Sequence, residues 1–396
     1  MNNNHLVYLE ILKCFLNETP FPEELKVNWP EILRLSQVHS TLGAVGSVAM
    51  ANPYMADSNL RGQLRRDCLS EVHTYGQRAA QMDMRLRDFQ DNGIDVLLMK
   101  GYVVKNYYPI PELRTFSDID FVIRLEDRKK TDELMMKLDF RRNHNWEPVY
   151  DYFNGLEYYE IHTGVLDDTV SDKADFITYF SNIWDHVVQV EDHVYEFTPE
   201  FHLLYLLTHI AKHISEGGAG IRMYMDIVVF LRYFQGKLDW NWFCEEAEKL
   251  HFDDFVNMVF TAIRDWFDAE IPIPLKAVEQ EVMDDFLAFT MDGGLFGKSG
   301  KDISTRILMR ENRNDDESVS SKKLTILKKL FPSAKTLAPR YTYLQKMPFL
   351  LPFAWVHRLV ITRKDWEVHK KQAQSILNAD DQEVLRIKKM YKNLGL

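Results

Sequence analysis

The amino-acid sequence predicts an α/β (α+β) protein, in which a small mixed-sheet core is flanked by N-terminal and C-terminal helical regions. Three observations predict it. Leucines at helical spacing, Leu6, Leu9, Leu12 and Leu16, open a stretch that reads as helix to about residue 90. Short apolar runs separated by glycine, proline and polar clusters follow, as strands do. From Thr198 onward the chain is again mostly helical, and Trp240, Trp242, Phe243, Phe252, Phe255, Phe260 and Trp266 supply a core. The regions are drawn at residues 1–92, 93–197 and 198–396.

Each element has its own signal. Pro20-Phe21-Pro22 breaks the first helix, and Trp29-Pro30-Glu31 starts the next with proline at a favoured early position. Cys68 to Asn92 reads as a long amphipathic helix stopped by Gly93. Its neighbourhood carries Arg65, Arg66, Arg78, Arg85 and Arg87, expected on a solvated face. Ile94 to Met99 is a buried strand, Lys100-Gly101 a turn, and a short helix ends at Asn106-Tyr107-Tyr108-Pro109. A second strand opens at Asp118, and Asp127 starts a helix to Leu138 with Leu134, Met135 and Leu138 inside. Phe140-Arg141-Arg142-Asn143 begins a further strand region, and Leu156 to His162 is a later strand. Residues 163–197 are expected to link, with Asp167, Asp168, Asp172 and Asp175 as a solvated acidic run. Thr198-Pro199-Glu200 starts a strong helix through His213, and Gly217-Gly218 ends it. Gly293 to Ser321 reads as a polar loop. Gly297-Lys298-Ser299 inside it matches part of a phosphate-binding P-loop, but the glycine spacing and a preceding strand are missing. Pro348 to Val360 is expected to pack in the core, with a partner or membrane surface as the lesser alternative, and Asp365 to Tyr391 to form a polar amphipathic helix.

Composition narrows the function classes. Hydrophobic residues make up 46% and charged residues 27%, the balance of a soluble globular protein. A net charge of −11 argues against bulk attraction to nucleic acid or an anionic membrane, and leaves room for a local basic groove. The three cysteines, Cys14, Cys68 and Cys244, are scattered and form no Cys-x-x-Cys pair, which points to a reducing compartment and no cysteine-based zinc site. Met1-Asn2-Asn3-Asn4-His5 lacks the start of a signal peptide, and no apolar run is long enough for a transmembrane segment. A cytoplasmic location is expected.

The chemistry concentrates in two strands. Side chains at i and i+2 of a strand share a face, so Asp118 and Asp120 project together. Two adjacent carboxylates repel unless a cation sits between them, and hard oxygen ligands suit Mg²⁺. By the same alternation Tyr158, Glu160 and His162 share one face of the later strand. Lys100 and Gly101 read either as an ordinary turn or as a phosphate site, glycine allowing close backbone approach and lysine adding a point charge. Arg114, four residues before Asp118, either holds a phosphate or makes a structural ion pair with Asp118 or Glu112. Ser117 is placed to cap or orient Asp118. His202, His209 and His213 fall near one helix face, and Arg222 and Asp226 lie four apart on the next helix. These groups form either a buried polar network between the helices or the lining of a ligand pocket, with a zinc site ranked below both.

A glycine after a strand followed by Asp-x-Asp on the next strand resembles the nucleotidyltransferase fold of the DNA polymerase β superfamily. The closer pattern is Lys100-Gly101, Tyr108-Pro109, Arg114, Ser117-Asp118-Ile119-Asp120, Glu160-Ile161-His162 and the histidine-rich helix. It is similar to a bacterial family of uncharacterised nucleotidyltransferase-like proteins, well over roughly residues 90–235 and more loosely over the Pro-rich apolar stretch near 347–358. The resemblance implies Mg²⁺- or Mn²⁺-dependent transfer of a nucleoside monophosphate from a nucleoside triphosphate, ATP first, to an unknown acceptor hydroxyl. It implies Asp118, Asp120 and Glu160 as metal ligands and catalytic residues, with Glu160 as third carboxylate and base, although an Asp is commoner there. Lys100, Gly101, Arg114, Ser117, His162, His209, His213 and Asp226 are the expected nucleotide-binding set. Lys100 replaces the first glycine of the superfamily's usual Gly-Gly or Gly-Ser, which keeps open the alternative of a catalytically inactive nucleotide-binding or scaffold protein.

Overall fold

A computed structural model of the chain describes residues 3–22, 25–52, 58–115, 119–142, 148–166, 170–171, 173–216, 218–294, 322–337, 341–361, 366–378 and 381–396. Four helices precede the first strand: α1 (Asn3–Asn17), α2 (Trp29–Val38), α3 (Leu42–Ala51) and α4 (Ser58–Asp91). Gly93 follows α4 at φ +57°, a backbone that glycine adopts without steric cost and that stops the helix.

The sheet is assembled from β1 (Val96–Leu98), β2 (Ile119–Ile123), β3 (Arg141–Arg142), β4 (Val149–Phe153), β5 (Tyr158–His162), β6 (Val187–Glu191) and β7 (Val194–Phe197). Short helix α5 (Lys100–Val104) follows β1, α6 (Arg128–Lys137) follows β2, and α7 (Phe176–Tyr179) precedes β6. The strand order is β3-β4-β5-β2-β1-β7-β6. β1 runs antiparallel to β2 and parallel to β7, and β2 runs parallel to β5. The outer pairs are antiparallel, so the sheet is mixed, as expected.

Residues 163–197 do more than link. Their second half is the β6–β7 hairpin, and β7 lies beside β1 with Val96 opposite Val194. The β-branched run Val187-Val188-Gln189-Val190 was the available signal. It was weak because β6 is an edge strand whose valines Val188 and Val190 stay exposed, so no buried face shows in the alternation.

After β7 come α8 (Pro199–Glu216), α9 (Ile221–Tyr233), α10 (Trp240–Lys249), α11 (Asp253–Phe267) and α12 (Gln280–Gly293). Shorter helices at Lys322–Leu330, Ala334–Leu337, Leu351–Ile361, Trp366–Leu377 and Asp381–Asn393 complete the described chain. The tail expected as one helix therefore comes as two. Gly297-Lys298-Ser299 and Asp167, Asp168 and Asp172 lie outside the described residues. Asp175 is described, and caps α7 by accepting the Thr178 N–H at 3.0 Å.

The two sheet faces meet different partners. Val96, Leu98, Phe121, Ile123, Tyr159 and Ile161 pack with Met82 and Phe89 of α4 and Leu134 and Met135 of α6. Arg85 turns inward with this face, its guanidinium over the Phe140 ring at 5.6 Å, and is not part of a solvated stripe. Leu97, Met99 and Val122 join the larger core, where α1 and α3 meet α8, α9, α11 and α12. Asp120 has the parity of Val122, and Glu160 is its register partner, so both face the α8 side. Pro348 to Val360 departs from expectation. Ala354 packs in a small cluster with Leu337, Tyr341 and Leu344, while Phe349, Phe353 and Val356 are exposed.

Candidate active site

Strand register builds the site. β2 and β5 run parallel with Asp120 opposite Glu160, and β4 places Asp151 opposite Glu160 on the other side. Three carboxylates therefore stand in one row across three strands. Like charges in cross-strand register destabilise a sheet unless positive charge offsets them.

A cation and an imidazole meet Asp120. The Lys100 ammonium is 3.3 Å from Asp120 Oδ1, and His162 Nε2 is 2.9 Å from the same oxygen. His162 Nε2 is also 3.8 Å from Glu160 Oε2. Tyr158 donates its hydroxyl to Glu160 Oε1 at 3.2 Å. Burial pushes the Asp120 carboxyl up, but the Lys100 charge, the His162 hydrogen bond and nearby His209 outweigh it and hold the carboxyl well below the usual carboxylate range.

Lys100 reaches Asp120 because it begins α5 directly after β1. Its φ is +53°, the left-handed region that a residue with a Cβ enters at a cost of roughly 1–2 kcal/mol. Gly101 beside it is buried, and a Cβ there would lie 2.6 Å from Arg114 Cζ. The space that glycine opens is filled by the Arg114 guanidinium.

Arg114 and Asp226 form a second, adjoining unit. Arg114 Nη2 donates to Asp226 Oδ2 at 2.6 Å and Nε donates to Oδ1 at 3.2 Å. Tyr108 adds its hydroxyl to Asp226 Oδ1 at 2.7 Å. All three side chains are buried. Arg114 thus pairs with Asp226 and, among the described residues, not with Glu112. Asp226 faces Arg114 and Tyr108, and Arg222 reaches instead to the Thr115 carbonyl at 2.6 Å. Arg114 Nη1 donates to the same carbonyl at 3.1 Å, and the Thr115 hydroxyl donates to the Ser40 carbonyl at 3.0 Å. Thr115 is therefore held from three sides at the threshold of residues 116–118. Ser117 and Asp118 lie outside the described residues.

α8 closes the row of carboxylates from above. His209 and His213 meet edge to face at 4.5 Å between ring centroids. Burial pushes both imidazoles down, the Lys100 charge pushes the same way, and the Asp120 charge opposes; His213 falls to about 4. His202, a turn and more away, is wholly buried against Phe197 and Phe230.

The structure thus gathers Lys100, Asp120, Glu160, His162, His209 and His213, and sets Gly101, Arg114 and Asp226 behind them as one packed unit. Thr115 and Asp151 escape the sequence reading, and Tyr108 enters it only within the Tyr108-Pro109 pattern, without a role. Asp151 had a signal, since it alternates with the buried Tyr150 and Tyr152. Thr115 had none, and the partner of Tyr108 had none, because these contacts reach residues more than 70 positions away.

Asp120, Glu160 and His162 each offer one ligand atom, and these lie within 4.8 Å of one another. The two carboxylates fit a hard divalent cation, and the imidazole adds a nitrogen donor or steadies the carboxylates. A family model described as "Uncharacterised nucleotidyltransferase" matches residues 26–268 of the chain. Comparison with curated proteins and with solved structures returned no match.

Proposed function

The chain belongs to that uncharacterised nucleotidyltransferase family, and from this premise we propose that it moves a nucleoside monophosphate from a nucleoside triphosphate, ATP first, to an acceptor hydroxyl. The observation that carries the reading is the register of Asp120 with Glu160 on adjacent parallel strands, closed by Lys100 and His162.

Asp120 and Glu160, with Asp118 two residues before Asp120, would hold Mg²⁺ or Mn²⁺. Such an ion offsets the negative charge of the triphosphate when bound. Glu160 is the group placed to take the acceptor proton: half-buried, next to Asp120, and oriented by Tyr158. The acceptor oxygen forms its bond to the α-phosphorus as the bond to the bridging oxygen breaks. Pyrophosphate leaves, and the hydroxyl proton passes to the Glu160 carboxylate. Lys100 is placed to give its ammonium to a phosphate oxygen, which frees Asp120 for the cation. His162 keeps Asp120 oriented, and the Arg114–Asp226 pair anchors Thr115 and so the entry to Asp118.

One observation favours a second reading. Lys100 already pairs with Asp120 without a metal, as a protein-only contact in a nucleotide-binding scaffold without turnover would. Labelled nucleoside triphosphates, Mg²⁺ and a cell extract separate the two, with pyrophosphate release and labelled product as readouts. Glu160→Gln is expected to keep nucleotide affinity and lower turnover by about 10²–10⁴-fold. Equal rates in wild type and variant would remove Glu160 from the mechanism; no release by either would favour the scaffold.

A further inference from the structure

Charge is very unevenly spread along this chain. Residues 322–364 hold seven lysines and three arginines and no aspartate or glutamate. The whole chain carries −11, so everything outside this stretch carries −21. The same stretch bares large apolar side chains. Phe349 is 73% exposed, Phe353 70% and Val356 62%. They are four and three residues apart, which puts them on one face where helix Leu351–Ile361 begins.

The opposite side of that helix is occupied. Ala354 is fully buried, Trp355 Nε1 donates to the Pro332 carbonyl at 2.8 Å, and Arg358 donates to the Leu330 carbonyl at 3.1 Å. The Phe331 ring meets Trp355 edge-on at 5.2 Å, tying the preceding helix Lys322–Leu330 to this one. That helix exposes its own stripe of Leu324 and Leu327, next to exposed Lys323 and Lys328. Lys346 and Met347 extend the bare face of the second helix.

The occupant of such a surface must be apolar and anionic at once. A nucleic acid answers the cations but offers nothing for Val356, Leu324 and Leu327 to enter. An acidic protein lacks acyl depth. An anionic bilayer supplies both, and cations flanking an apolar helix face lie in its headgroup plane. Among the described residues no helix is long and apolar enough to cross a membrane, so the mode is surface docking. The negative remainder of the chain does not prevent it, since charges beyond roughly 8 Å are screened at physiological salt. We propose that residues 322–337 and 341–358 dock this protein on anionic lipid surfaces, with Phe349, Phe353 and Val356 entering the interface and Lys323, Lys328 and Lys346 meeting the headgroups. The proposal stands independently of the transfer reaction.

Vesicle co-sedimentation of the full chain tests it, with phosphatidylcholine alone against phosphatidylcholine containing phosphatidylglycerol. Binding is expected only to the anionic vesicles and should fall as salt rises. Lys323→Glu and Lys346→Glu should each weaken it by about fivefold or more. Phe349→Ser with Phe353→Ser should weaken it by about tenfold or more. All four side chains are exposed, so circular dichroism of the variants should match wild type. Absence of anionic vesicle binding overturns the proposal, as does equal binding to neutral vesicles or binding indifferent to the Phe pair. Salt-sensitive RNA binding without vesicle binding would assign the patch to nucleic acid. Self-association lost in the Phe variant, again without vesicle binding, would assign it to a second copy.

Discussion

A left-handed backbone and the positive charge opposite Asp120 meet at Lys100. A residue strained in this way at the end of a strand marks a position that the surrounding structure over-determines. Glycine would relax the backbone, and the Lys100–Asp120 pair is what a glycine gives up. Removing that ammonium takes positive charge away from the facing Asp120 and Glu160, so the site's appetite for a cation must rise. Lys100→Gly is therefore expected to tighten Mn²⁺ binding by about tenfold or more in the absence of nucleotide, because a unit charge this close moves a carboxylate equilibrium by one to three powers of ten. Strain relief offsets part of the lost pairing, and the thermal midpoint should change little. Titration calorimetry with Mn²⁺ alone reads the first effect. Unchanged affinity would mean that Lys100 and the cation do not compete for Asp120, and the metal reading of the row would lose its main support. At the same scale, Arg114→Ala should cost about 3–5 kcal/mol of stability by stranding buried Asp226, measured by urea unfolding. Asp226→Asn with Arg114→Met should cost less than Arg114→Ala alone.

Helix α8 brings three histidines into low-dielectric surroundings and keeps them neutral. His202 is pushed down to about 3 by burial and His213 to about 4, and His209 also falls well below its ordinary value. An unfolded chain takes up these protons near pH 6.5 and the folded chain does not. The neutral imidazoles therefore contribute stability that is fully present above pH 6.5 and is lost as pH falls through 6.5 toward 4. Urea midpoints at pH 7.5, 5.5 and 4.5 should decline in that order. His202→Phe fits the ring-lined site between Phe197 and Phe230, and should flatten the decline while leaving stability at pH 7.5 within about 1 kcal/mol. A slope identical to wild type would remove His202 from the effect. His209 and His213 stand edge to face, so purified protein is expected to contain no stoichiometric zinc by elemental analysis. One zinc per chain would reverse the ranking of polar network over metal site. Elements of this kind were legible from the sequence where periodicity and caps coincide, as at Thr198-Pro199-Glu200, or where strand alternation carries charge, as at Glu160 and His162. The edge strand β6 was not, because its outward valines leave no buried side to read. The pairing of Arg114 with Asp226 was not, because ion-pair choice across 112 residues is decided by packing rather than spacing.

The larger core joins chain segments that the sequence had divided into regions. Tyr8, Ile11 and Leu12 of α1 pack with Val228, Val229 and Phe260 of the helices beyond residue 198, and Leu97 and Val122 bring the sheet into the same cluster. Arg232 of α9 donates to the Leu16 carbonyl and to Asn17 Oδ1, each at 2.6 Å, fixing the end of α1. The chain end returns as well: Met390, Tyr391 and Leu394 lie in this core, and the Tyr391 hydroxyl donates to the Ile214 carbonyl of α8. The cluster of Leu337, Tyr341, Leu344 and Ala354 is separate and small, and it underlies the basic, apolar face described above. Local opening is governed by how much apolar surface a unit buries on its own. Backbone amides of α1, α9 and α11 are therefore expected to exchange hydrogen together at the slow global rate, and those of residues 341–357 earlier and as a separate unit. Hydrogen-exchange mass spectrometry of the full chain measures this directly. Early exchange of α1 apart from α9 would divide the molecule at residue 92 after all. Anionic vesicles should slow exchange in residues 341–357 and leave the shared core unchanged, since the proposed docking face and the site's carboxylates are carried by different clusters.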